Sequence, residues 1–156
     1  MSPHVRERIF RTSLTIDCPR GQVFAFFADA QNLERITPPE LRFRILTPLP
    51  IVMRQGARID YALRLYGVPL RWDTLIKRWE PPDFFVDEQL SGPYDLWIHT
   101  HTFREVNGGT EIDDEIRYAL PFPPVGEIAA PIVARRVARI FAYRTEAVRR
   151  LLTPAG

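Results

Sequence analysis

Between Leu41 and Leu120 the chain offers one β-type run after another, each closed by a turn sequence at Gly56, Gly67-Val68-Pro69, Pro81-Pro82-Asp83, Ser91-Gly92-Pro93 or Asn107-Gly108-Gly109. Turns spaced by roughly 8–15 residues suit consecutive antiparallel strands joined as hairpins. The expected strands are Arg42–Thr47, Arg58–Tyr66, Leu70–Glu80, Phe84–Ser91, Tyr94–Val106 and Thr110–Leu120. Upstream, from Arg8 to Asp17, Ile9, Arg11, Ser13 and Thr15 alternate with Phe10, Thr12, Leu14 and Ile16, which adds a first strand and brings the count to seven.

Helical periodicity brackets this β region. The segment from Cys18 to Asp29 opens with Asp17 and Pro19, a helix-start signal, and carries Val23, Phe24, Phe26 and Phe27 at helical spacing. Gln31 to Ile36 permits a second helical piece, which Pro38 and Pro39 must end because proline cannot continue the hydrogen-bond ladder. From about Pro131 to Leu152, Val133, Val137, Ile140, Phe141, Val148, Leu151 and Leu152 recur mostly every three or four residues, the mark of one long helix with a wide apolar face. Most of the arginines in that stretch (Arg135, Arg136, Arg139, Arg144, Arg149, Arg150) are expected on the opposite, solvated face. The fold class that follows is α+β: a curved seven-stranded antiparallel sheet wrapped around a long C-terminal helix, with two short helices between strands 1 and 2. Neither a repeat nor a linker interrupts residues 1–156, so one domain is expected.

Composition narrows the function classes. At 156 residues and 46% hydrophobic, the chain can bury a core without a disulfide or metal staple. No apolar run approaches the roughly 20 residues of a membrane span, and Met1 to Arg8 lacks the apolar core of a signal peptide. With its single cysteine, Cys18, read as a small buried residue, the expectation is a cytoplasmic protein. A net charge of +2, with acidic residues scattered among the arginines, gives no field for a polyanion, so nucleic acid is not an expected partner. The glycines form no phosphate cradle, and no nucleophile elbow appears. Pro121-Phe122-Pro123-Pro124 with Gly126 reads as a stiff connection into the helical region, a plain linker or a gate. Arg58, Arg64, Arg71 and Arg78 fall on outer strand faces and are candidates for pairing chains into a homodimer.

Alternation along the strands then proposes an interior. In one strand Ile112, Asp114, Ile116, Tyr118 and Leu120 share a face opposite Glu111, Asp113, Glu115 and Arg117. That face is the buried one, with Asp114 as a polar intruder that needs a partner. On the preceding strand Trp97, His99, His101 and Phe103 share a face, and Phe85, Asp87 and Gln89 would add a carboxylate and an amide from the strand before. Ile59, Tyr61, Leu63 and Leu65, and then Trp72, Thr74 and Ile76, supply apolar rows, while Val137 and Phe141 of the helix would close the floor.

Three readings of the His99, His101, Asp114 and Tyr118 group stay open. It is a structural network in which histidines and acids satisfy one another, a polar anchor for a ligand in an apolar cavity, or a metal or acid–base site. Two histidines two residues apart are an unspecific metal spacing, and no cysteine or third strand histidine completes a ligand set, so neither a metal nor another cofactor is expected.

Features in order along nearly the whole chain resemble the START-like superfamily, also called SRPBCC or helix-grip proteins, which includes polyketide cyclases. They are Pro19 to Phe27, Asn32-Leu33, Thr37-Pro38, Trp79-Glu80-Pro81-Pro82 and Phe85 to Gln89, followed by Gly92-Pro93-Tyr94, Trp97, His99-Thr100-His101, Phe103, Gly108-Gly109-Thr110, Asp114, Tyr118 and Ile140 to Arg144. The pattern is most similar to the small bacterial ligand-binding members of the cyclase/dehydrase group. The resemblance implies a cavity between sheet and helix that takes a small hydrophobic molecule such as a lipid, quinone, polyketide or other aromatic compound. Tyr61, Leu63, Trp72, Asp87, Gln89, Trp97, His99, His101, Asp114, Tyr118, Val137 and Phe141 are the candidate ligand-binding residues. The alternative it implies is a cyclase, aromatase or dehydrase using the His, Asp and Tyr groups for acid–base work.

Overall fold

A computed structural model describes residues 6–153; the expectation that Met1 to Arg8 lacks a signal-peptide core falls largely outside that range. Strand β1 (Arg8–Ile16) leads into helices α1 (Arg20–Ala28) and α2 (Asn32–Arg35), and strands β2 (Arg44–Ile45), β3 (Arg58–Leu65), β4 (Val68–Glu80), β5 (Phe84–Ser91), β6 (Leu96–Val106) and β7 (Gly109–Ala119) precede helix α3 (Val125–Leu152). The strands form one antiparallel sheet in the order β1-β7-β6-β5-β4-β3-β2, so the first strand in sequence closes against the last. Two hairpins turn through paired positive φ angles: Asn107 (50°) with Gly108 (81°), and Tyr66 (52°) with Gly67 (77°). A backbone twist of this kind matches that of the flanking strands.

Two elements depart most from the sequence expectation, the other boundaries shifting by no more than two residues. The second strand shrinks from Arg42–Thr47 to Arg44–Ile45, because Pro39–Leu41 forms a 3-10 turn that ends in a left-handed Arg42 (φ 45°) and Pro48 and Pro50 cannot donate to a ladder. One further bond, Leu46 N–H to the Asp60 carbonyl at 2.8 Å, finishes the pairing. The long helix starts at Val125, six residues before Pro131, which lies inside it. Gly126 makes this start possible. A Cβ there would lie 2.4 Å from the Pro121 carbonyl oxygen and 3.0 Å from Leu120, so the glycine lets the first turn pack directly on the end of β7. The proline-rich stretch is thus a tight corner rather than a gate.

Two bulges bend the sheet. Ile76 pairs with Asp87 and Arg78 with Val86, which leaves Lys77 as an extra residue in β4; Thr74 pairs with Gln89 and Asp73 with Ser91, which leaves Leu90 extra in β5. An extra residue increases local twist and re-aims the side chains beyond it. Thr74 and Ile76 therefore face inward on even numbers, whereas beyond Lys77 the inward residue is Trp79, which packs edge-on against Phe24 at 5.1 Å.

The concave face holds three clusters. At one end Phe24 of α1 packs its ring 5.3 Å from Phe103 and 5.9 Å from Phe85, among Ile16, Ile112 and Val148. Toward the other end Ile59, Tyr61, Leu63 and Ile76 of β3 and β4 form a separate cluster, with Val137 and Phe141 of α3 packed on Ile116 and Tyr118 in a third. On the convex face Arg58, Arg64, Arg71 and Arg78 are exposed.

Candidate functional site

Strand alternation places Trp97, His99, His101 and Phe103 in one inward row of β6, and hydrogen-bond register sets what each meets. His101 lies opposite Phe85 on β5 and Asp114 on β7; His99 lies opposite Asp87 and Ile116. Each histidine thus has an acid one step along a neighbouring strand. His99 Nε2 sits 2.6 Å from Asp114 Oδ1, and His101 Nε2 sits 2.5 Å from Asp87 Oδ2. The two imidazoles stack with centroids 3.5 Å apart, and Phe85 continues the stack 4.0 Å beyond His101.

Arg144, on α3, completes the group. Most arginines of this helix are expected on its solvated face; Arg144 departs from that majority and is only 9% exposed. Its guanidinium carbon lies over the rings of Phe27 and Phe141 at 5.3 and 5.5 Å, and Nη2 donates to His101 Nδ1 at 3.4 Å. The spacing Val137, Phe141, Arg144, Val148 follows the apolar stripe, so periodicity marked this arginine as inward although its residue type did not.

Protonation follows from this packing. Burial and the neighbouring His99 hold the His101 pKa down to about 4, against the opposing pull of Asp87 and Asp114. With Nδ1 accepting from Arg144, the neutral ring carries its proton on Nε2 and donates it to Asp87. Burial works to raise both carboxyls, but it is outweighed at Asp87 by the His101 hydrogen bond and at Asp114 by the Arg144 charge and the His99 hydrogen bond, so both stay below the usual carboxylate range. Burial and the Asp87 charge push the Tyr61 phenol up, keeping it a neutral hydroxyl.

A cavity of about 180 Å³ lies between the sheet and α3. Of the residues singled out from the sequence, Tyr61, Leu63, Trp72, Asp87, Trp97, His99, His101, Val137 and Phe141 line it. Three lie outside its lining. Asp114 sits behind His99; Tyr118 is 3% exposed and packs against Tyr94 and Trp97. Gln89 is held by the β5–β6 loop: its Nε2 donates to the Tyr94 carbonyl at 2.6 Å and its Oε1 accepts from the Tyr94 N–H at 3.1 Å. A Cβ at Gly92 would come within 2.5 Å of that Oε1, so the latch requires glycine there. Sequence reasoning missed Arg144, Phe26 and Phe27, and also Asp29, Asn32 and Thr37 from the helical insert.

Among the described residues, Asp87, His99 and His101 offer ligand atoms within 4.8 Å of one another. Zinc bonds of about 2 Å require ligand atoms roughly 3.3 Å apart, and here His101 Nε2 already serves Asp87 while Arg144 brings its positive charge to Nδ1. Such a set suits hydrogen bonding and proton transfer better than a resident cation.

A family model described as polyketide cyclase / dehydrase and lipid transport matches residues 16–144. No curated protein matches the chain. Solved structures share the fold at low identity. Protein Ms6760 from Mycobacterium smegmatis is 18% identical, with 96% of each chain covered and a TM-score of 0.69. A START superfamily protein, also from Mycobacterium smegmatis, is 9% identical over 92% of this chain and 96% of its own, with a TM-score of 0.71. The di-domain ARO/CYC StfQ from the steffimycin biosynthetic pathway is 13% identical over 94% of this chain and half of its own, with a TM-score of 0.72.

Proposed function

The chain belongs to the polyketide cyclase / dehydrase and lipid transport family, and from that premise we propose that residues 1–156 act as one START-like domain that binds a small hydrophobic molecule in its internal cavity. One observation carries this reading. A space of about 180 Å³ persists inside an aromatic-rich interior, walled by Tyr61, Leu63, Trp72, Trp97 and Phe141, with polar groups gathered at the His99–His101 pair. Apolar walls with a few convergent polar groups are what a ligand site needs to hold and orient a molecule. No helix among the described residues is long and apolar enough to cross a membrane.

The size restricts the ligand. A cavity of about 150 Å³ holds one benzene, so this one suits a single ring or two fused rings. Native mass spectrometry of the purified chain, with titration by a fluorescent apolar probe, tests the proposal. Binding is expected at one site, and Leu63→Trp, which fills the cavity, is expected to weaken it at least tenfold. Equal binding by wild type and the filled variant would place the ligand elsewhere and refute the reading.

A second reading, cyclase or dehydrase chemistry, is favoured by the His99–Asp114 pair. Asp114 fixes Nε2 of His99 at 2.6 Å, and Nδ1 has only Asp87 Oδ2 at 3.8 Å. An imidazole oriented by a carboxylate and lining a cavity is equipped to take a proton from a bound carbon acid.

A further inference from the structure

Among the polar side chains that line the cavity, most are already occupied. Asp29 accepts the Gln31 N–H at 3.0 Å, Asn32 donates to the Phe26 carbonyl and accepts from Arg35, Thr37 donates to the Leu33 carbonyl, and Asp87 holds His101. Among the aspartate and arginine side chains of the lining, Arg144 is the exception. A guanidinium has five N–H donors in a planar fork, yet the one hydrogen bond it makes among the described residues is the long 3.4 Å contact to His101 Nδ1. Its nearest carboxylate there is Asp114, whose Oδ1 is 3.9 Å from Nη2, beyond hydrogen-bond reach and already taken by His99 at 2.6 Å. A nearly buried arginine with donors to spare at a cavity wall presents them to an acceptor from outside the chain.

Charge decides what accompanies that acceptor. The groups that face one another here are Asp87 from β5, His99 and His101 from β6, Asp114 from β7, Arg144 from α3 and the Tyr61 hydroxyl from β3. Counting Asp87, Asp114 and Arg144, two carboxylates stand against one guanidinium, and an arriving anion would add a third negative charge. His101 supplies the remedy. Its Nδ1 lone pair and the Arg144 Nη2 face each other across 3.4 Å. A carboxylate at that junction could accept from the guanidinium and from a protonated Nδ1 together.

We infer that the cavity is specific for a compact aromatic carboxylic acid of one or two rings, whose carboxylate is held by Arg144 and His101 and whose binding draws one proton from solvent onto His101. This inference rests on the hydrophobic-ligand reading and makes it narrower. The proton comes from buffer and ends on an imidazole nitrogen; no bond in the ligand breaks. Because the empty site holds His101 unprotonated at neutral pH, the proton arrives with the ligand, and affinity rises as pH falls.

The test is calorimetric titration of the purified chain with benzoate and 1-naphthoate against benzamide and 1-naphthamide, in two buffers of different ionisation enthalpy. The acids are expected to bind at least about tenfold tighter than the amides. Uptake of about one proton should strengthen acid binding up to about tenfold per pH unit between pH 8 and 6, with amide binding flat. Arg144→Gln should bring acid affinity down to the amide level while amides still bind. Should that variant not fold, Arg144→Lys, which keeps the charge and loses the fork, should cut the preference for acids by more than about threefold. Amides that bind as well as acids, or acid binding without proton uptake, would overturn the inference and leave the hydrophobic-ligand reading standing. If acids, amides and the apolar probe all fail to bind, both fall.

Discussion

Phe103 and His99 sit four residues apart on the same face of β6, and they meet different interiors. Phe103, 1% exposed, is sealed by Phe24, Phe27 and Phe85 with ring centroids 5.3–6.1 Å away. His99 borders open space. Both ends of the row are lined with aromatic rings, so aromatic content does not separate a packed core from a cavity wall. What separates them is the element laid across the sheet. At the Phe103 end α1 delivers Phe24 into the concavity, whereas at the Trp97 end α3 crosses with Val137, Ile140 and Phe141 and leaves a gap that the short β2 and the loop around Met53 do not fill. His101 marks the boundary, stacked on Phe85 toward the core and on His99 toward the cavity.

The largest test of this contrast is Phe103→Ala. Removing a ring from a packed site is expected to cost about 3–5 kcal/mol of unfolding free energy in urea titration. A loss under about 1 kcal/mol would mean that this end is not the dry core. Leu63→Ala at the cavity wall should cost less, about 2 kcal/mol, because part of the side chain already faces open space. It should also admit larger probe molecules. If Leu63→Ala proves the costlier of the two, the assignment of core and cavity is reversed.

The smallest effect is one of pH. A histidine whose folded pKa is about 4 binds fewer protons folded than unfolded, where its pKa is near 6.5. Stability is then full above about pH 6.5 and is lost as pH falls toward 4, with about 1–2 kcal/mol gone by pH 5. Asp87 and Asp114, held below their ordinary range, add a loss of the same sign only at still lower pH. Thermal melts of wild type and His101→Phe, which keeps the ring stack, should diverge between pH 7 and 5. Parallel curves would remove His101 as the titrating group.

Much of this fold could be read from residue order. Strands and turns follow local chemistry, and the inward rows of β6 and β7 follow strict alternation, so the meeting of His99, His101 and Asp114 was legible. Gln89 shows where that reasoning stops. Its parity is inward, but its amide is captured by the Tyr94 backbone across a bulged hairpin, an arrangement no periodicity encodes. Arg144 fails for the opposite reason: its position was inward, and the general preference of arginine for water overrode it. The helical insert supplies wall residues only through how it folds back over the sheet, so Phe26, Phe27 and Asn32 carried no local mark of their role.

The extra residue in β4 gives the cavity a genetic handle. Deleting Lys77 would restore even alternation through the strand, and Thr74, Ile76 and Trp79 would all still point inward. What would go is the added bend. In this architecture, then, the identity of the wall and the radius of the wall are written separately, and a lineage could change the size of its cavity by inserting or losing one surface residue without replacing a side chain that lines it.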